Sequence, residues 1–166
     1  MTRFADQPEV EVAADIEAPA EVVWSLVTDI NLPARFQDEF RGAKWLDPRP
    51  GVGARFLGRN ERRGQVWETT SWVAAYEMLR EFGWAVSDPD NPGATWTFRL
   101  TPIPTGTRLV YHRRLGPGPS GITDFIERHP DREEEAIANR DAEHRVHMQA
   151  VVDGIKQLAE RDDSGA

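Results

Sequence analysis

Residues 131–160 read DREEEAIANRDAEHRVHMQAVVDGIKQLAE, with no proline and one glycine, Gly154. Asp131 is placed to cap the first free amides with Glu134 three residues on, and Glu133 and Glu135 complement the positive end of the helix dipole. At about 100° per residue, Met148, Val151, Val152, Ile155, Leu158 and Ala159 fall on one apolar stripe. The spacing predicts a long helix over 131–160 whose C-terminal half seals a core. Traced back, the same stripe meets His144, Asp141 and Ile137, so the face turns polar toward its N-terminal end. Two readings of that end stand side by side. It lines a cavity, or it is the edge of the core, where Asp141 and His144 pair as i,i+3 neighbours.

The 166 residues of the chain suffice for one domain over 1–166 with a substantial core. A net charge of −8 argues against a nucleic-acid binder or a protein of anionic membrane surfaces, since both need a basic face. The absence of cysteine excludes disulfides, thiolate metal sites and thiol nucleophiles. No segment approaches the roughly 20 apolar residues of a membrane span, and the N-terminus lacks an apolar leader core, so a cytoplasmic location is expected. Six tryptophans and seven phenylalanines supply rigid apolar wall area.

Before the helix the chain reads as a strand, two short helices and then a run of strands. Glu9–Glu17 alternates, with Val10, Val12 and Ile16 on one face. Pro19 suits the start of a helix whose buried side is Val22, Val23, Leu26, Val27 and Ile30, and a second short helix is expected over Ala34–Phe40. Strands follow at Ala43–Leu46, Ala54–Asn60, Gln65–Tyr76, Leu79–Val86, Thr95–Thr101 and Thr107–Leu115, separated by Gly/Pro/Asp clusters. This order gives an α+β class, with helices segregated from an antiparallel sheet. Gly116–Gly121 then forms a joint, and Ile122–Arg128, with Ile122, Phe125 and Ile126 apolar, makes either a lid over a cavity mouth or a packed elbow.

A sheet curved around a helix sends alternate residues of each strand to its concave face. Charged residues fix the parity: Arg55, Arg59 and Glu61 must face water, which turns Phe56, Gly58 and Asn60 inward. By the same logic Trp67, Thr69, Ser71 and Val73 face in, followed by Phe82, Trp84 and Val86, then Trp96, Phe98 and Leu100, then Leu109, Tyr111 and Arg113. The expected wall is aromatic, with Asn60, Thr69, Ser71, Tyr111 and Arg113 as polar exceptions. An inward Arg113 requires a partner, and Asp141, with His144 beside it, is the expected one. His144 and His147 with Asp141 have helical metal-ligand spacing but no further ligand from elsewhere, so no metal is expected. Nucleotide-binding loops and a serine-nucleophile elbow are absent.

The opening IEAPAEVVWSLVTDINLPARF, the PGVGARFLGRN turn and strand, WETTSWV with MLREFGWAV, and the segment from GTRLVYHRRLGPGPSG to GIKQLAE together resemble the START-like, helix-grip (SRPBCC) superfamily, within it the bacterial polyketide cyclase/dehydrase and lipid-transport group. The resemblance spans nearly the whole chain and implies a curved antiparallel sheet gripping the long C-terminal helix around a deep apolar cavity. It further implies binding of a lipid-like or polyketide-like molecule; no cofactor is expected, and monomer and homodimer both stay open. On this basis the expected ligand contacts are Phe56, Asn60, Trp67, Thr69, Ser71, Phe82, Trp84, Trp96, Phe98, Tyr111 and Met148. Two alternatives remain open. One is a cyclase or dehydratase in which Arg113 polarises a carbonyl while Tyr111, His144 or Asp141 moves protons. The other is a non-catalytic interaction or stress-response module.

Overall fold

The computed structural model describes residues 2–164, with side chains as far as Arg161. Seven strands form one antiparallel sheet: β1 (Glu9–Ile16), β2 (Phe40–Trp45), β3 (Arg55–Arg62), β4 (Gln65–Glu77), β5 (Glu81–Val86), β6 (Ala94–Ile103) and β7 (Gly106–Leu115). Their order is β1-β7-β6-β5-β4-β3-β2, so β2 to β7 form a meander and β1 closes on β7 from the other end of the chain. Helix α1 (Ala20–Val27) follows β1, and α2 (Gly121–Arg128) leads into the long α3 (Glu133–Ser164). This is the α+β helix-grip arrangement: one sheet face packs on α3, and α1 closes one side.

Alternation explains the strands. In β1, Val10, Val12 and Ile16 are buried between exposed Glu9, Glu11 and Asp15. On α3 the buried side chains are Ile137, His144, Met148, Val151, Val152, Ile155 and Ala159, with Gly154 also buried, a stripe that joins Val23, Trp24 and Val27 of α1. Thr28 ends α1 by donating its hydroxyl to the Trp24 carbonyl at 2.8 Å. No helix among the described residues is long and apolar enough to cross a membrane.

Three sequence expectations need correction. The second short helix, expected over Ala34–Phe40, is a 3-10 turn at Leu32–Arg35. Pro33 sits in its first turn, and Gln37 Oε1 then accepts from the amides of Glu39 and Phe40, which frees Phe40 to begin β2 rather than end a helix. Asp131 does not cap α3, because Pro130–Arg132 form a separate 3-10 turn and α3 begins at Glu133. Glu133 does more than complement the helix dipole, since its Oε1 accepts from the Phe4 amide at 2.9 Å and ties the N-terminal segment to α3.

Gly154 is where α3 meets the turn after α1. A Cβ there would stand 2.6 Å from three atoms of the Phe36 ring. In a solvent-facing helix, Gly to Ala gains about 1 kcal/mol of propensity. Here the ring cannot move without repacking, so Gly154→Ala should instead lower stability by about 1–3 kcal/mol, read as a lower urea midpoint.

Candidate functional site

Between the concave sheet face and α3 lies a cavity of about 1230 Å³. The inward parity of β3 to β7 appears in its wall: Phe56, Gly58 and Asn60 of β3, Trp67, Thr69 and Ser71 of β4, Phe82, Trp84 and Val86 of β5, Trp96 and Phe98 of β6, and Tyr111 of β7. Met148, Val151, His144 and His147 of α3 form the opposite side, and Ile122, Phe125 and Arg128 of α2 border the mouth.

The rings form a continuous belt rather than separate contacts. Trp84 meets Phe56 at 5.9 Å, Phe82 at 5.7 Å and Phe98 at 6.0 Å. Phe98 and Tyr111 stack at 4.0 Å, Trp96 meets Tyr111 at 5.8 Å, and the Trp96 ring meets His144 edge-on at 5.0 Å. Close aromatic packing of this kind holds the wall rigid without filling the space in front of it. Burial holds the Tyr111 hydroxyl protonated well above its ordinary range.

Behind His144 stands Arg113, fully buried. Its Nη2 donates to Asp141 Oδ1 at 2.6 Å and to the Pro8 carbonyl at 3.1 Å, and its Nη1 lies 2.9 Å from His144 Nδ1. Burial works against the guanidinium charge, and the Asp141 carboxylate supports it. A guanidinium has donors only, so Nδ1 of His144 must be the acceptor, and the proton of the neutral ring is on Nε2. Nε2 has no partner among the described residues, and His144 lines the cavity. The site therefore presents a fixed N–H donor beside the Trp96 ring. Arg113 and Asp141 are not in the cavity wall. This corrects the expectation that Arg113 polarises a substrate carbonyl directly or that Asp141 transfers protons to one, because His144 stands between them and the cavity.

Burial, with Arg140 and Arg113 nearby, pushes the His144 imidazole well below its ordinary value. The unfolded chain protonates this ring near pH 6.5, the folded protein well below it, so between the two the unfolded state holds the extra proton. Stability contributed by the neutral ring is thus present above about pH 6.5 and falls as pH drops toward the folded value, by up to about 1.4 kcal/mol per pH unit. Urea midpoints between pH 7 and 5 should show this slope, and His144→Gln should flatten it.

One feature escaped the sequence reading. Arg62 of β3 makes a bidentate pair with Glu143, at 2.6 and 3.0 Å, and Arg140 bridges Glu39 at 2.8 Å and Glu143 at 2.9 Å. These four side chains join the end of β3, the start of β2 and α3 at one end of the cavity. The available signal was helical spacing, since Arg140 is i,i+4 from His144 and i,i+3 from Glu143. No cluster of three His, Asp or Glu side chains placed to hold a metal ion occurs among the described residues.

A family model described as polyketide cyclase / dehydrase and lipid transport matches residues 7–160. No curated protein gives a significant sequence match. Among solved structures, the polyketide-cyclase-like protein Cgl2372 from Corynebacterium glutamicum is 27% identical, with a TM-score of 0.71 over 99% of this chain and 96% of that one. The Zhui aromatase/cyclase from Streptomyces sp. R1128 is 17% identical, with a TM-score of 0.70 over 95% and 96%. The di-domain aromatase/cyclase BexL of the BE-7585A biosynthetic pathway is 17% identical, with a TM-score of 0.70 over 93% of this chain and 50% of that one.

Proposed function

This chain belongs to the polyketide cyclase/dehydrase and lipid transport family, and from that premise we propose that it binds one small, mainly hydrophobic molecule between its sheet and α3, with a hydrogen-bond acceptor of the ligand set against His144. The observation that carries this reading is the cavity itself, about 1230 Å³ with an aromatic belt along its sheet side and polar side chains set among the apolar ones. That volume is above the usual range for drug-sized ligands and suits a lipid-like or multi-ring molecule. Asn60, Thr69 and Ser71 form no side-chain hydrogen bonds among the described residues, and they line the cavity, where a ligand's polar atoms could meet them. Native mass spectrometry of gently purified protein, with titration of an environment-sensitive fluorophore, tests the proposal. One saturable site per chain is expected, and an empty protein that binds no apolar probe contradicts it.

A second reading, cyclisation or dehydration, has one specific observation in its favour. His144, with its Nε2–H, and Tyr111, with its hydroxyl, line the same cavity from α3 and from the sheet, and both are donors at neutral pH. In such a reaction they would polarise a carbonyl and stabilise the developing enolate, while Arg113 fixes the tautomer from behind. Two of the structures sharing this fold are aromatase/cyclases. Conversion of a poly-β-ketone model compound, lost in Tyr111→Phe and His144→Leu while apolar binding persists, would support this reading.

A further inference from the structure

The cavity mouth carries more positive charge than its own carboxylates answer, in a chain whose net charge is −8. Its lining includes Arg62, Arg63, Arg128, Arg132 and Arg140, against Asp29, Glu39 and Glu135. Most of these are already engaged. Arg132 holds Glu135 through two bonds of 3.0 and 3.1 Å, Arg62 holds Glu143, and Arg140 bridges Glu39 and Glu143. Asp29 accepts from the Asn31 amide on the far side, at the turn after α1. Two arginines remain. Arg63, at the β3–β4 turn with its side chain 79% exposed, comes no nearer than 3.8 Å to Glu143, whose oxygens are taken by Arg62 and Arg140. Arg128, at the end of α2, donates from Nε to the Asp124 carbonyl at 3.1 Å, and among the described residues neither of its terminal nitrogens meets a carboxylate.

We propose that the ligand is an anionic amphiphile: its apolar body lies along the aromatic belt, and a carboxylate-class head group is held at the mouth by Arg63 and Arg128. This inference rests on the binding function proposed above and adds the charge and orientation of the ligand. Guanidinium groups with free paired N–H donors match an oxyanion in geometry as well as charge. The net charge of −8 disfavours an anion at long range, so the arginines at this opening favour seating the head group there over other parts of the surface. The ligand then spans two polar ends, an acceptor at His144 inside and an anion at the mouth.

The test compares a dansyl-labelled undecanoate with its methyl ester, which share fluorophore and chain and differ in charge. Wild-type protein should bind the acid about tenfold or more tightly than the ester at low salt, and the preference should shrink at about 0.3 M salt. In the doubly substituted Arg63→Gln, Arg128→Gln protein the ratio should fall to about one, while Arg63→Lys with Arg128→Lys should retain part of it. Both positions are exposed, and thermal melts report whether the variants fold; the salt dependence of the wild-type ratio stands independently of them. Equal affinities for acid and ester, or a ratio unchanged in the Gln variant, would overturn the anionic head group and leave the apolar site intact. If neither compound binds, both proposals fall together.

Discussion

Replacing Arg113 by alanine is expected to cost the folded state about 3–5 kcal/mol, seen as a large drop in the urea midpoint. The side chain has no solvent exposure and ties three segments together: the Pro8 carbonyl ahead of β1, its own strand β7, and Asp141 and His144 of α3. Removing it strands a carboxylate, a carbonyl and an imidazole nitrogen at once and leaves a cavity the size of a long side chain. Arg113→Met should lose less, because it fills most of that volume and removes the buried charge. Its second effect separates positioning from bulk. With no guanidinium to donate to Nδ1, His144 should change from a single Nε2–H tautomer to a mixture, read directly from imidazole nitrogen resonances. If the wild-type ring shows the proton on Nδ1, the assigned role of Arg113 is wrong.

The largest effect on binding is expected from Thr69→Trp. Thr69 sits in mid-β4 with its side chain facing the open space between sheet and α3, so an indole there occupies the cavity rather than a packed core. Aromatic residues suit strands, and stability should change little. Affinity for an apolar probe should fall at least a hundredfold, about 2.8 kcal/mol. A Thr69→Trp protein that keeps wild-type affinity would move the ligand site elsewhere.

The sheet was legible in the sequence because charge fixed the parity of its strands. Arg55, Arg59 and Glu61 on one side of β3, and Glu68 on β4, leave only one set of residues able to face the helix, and all of that set but Val73 lines the cavity. The pairing of Arg113 with Asp141 followed from the cost of burying a lone cation. What could not be read was depth. Parity shows that Arg113 points toward α3, but the relative placement of β7 and α3 decides whether it meets ligand or protein, and Asp141 and His144 fill the gap. The turn at Leu32–Arg35 was misread for a local reason, since Gln37 satisfies the next two amides with its side chain and its spacing carries no periodic signal. Arg63 was hidden in a turn and Arg128 at the end of the segment read as a lid or an elbow, both places where charge is ordinarily solvated.

The six tryptophans provide the most direct test that a ligand enters between sheet and helix. Trp67, Trp84 and Trp96 line the cavity, whereas Trp24, Trp45 and Trp72 do not. When nitrogen-15-labelled protein is titrated with dansyl undecanoate, the indole N–H signals of Trp67, Trp84 and Trp96 should shift to saturation at one equivalent, as should the Met148 methyl in protein carrying carbon-13 at its methionine methyls. Shifts confined to Trp45 and Trp72, or none, would contradict the account.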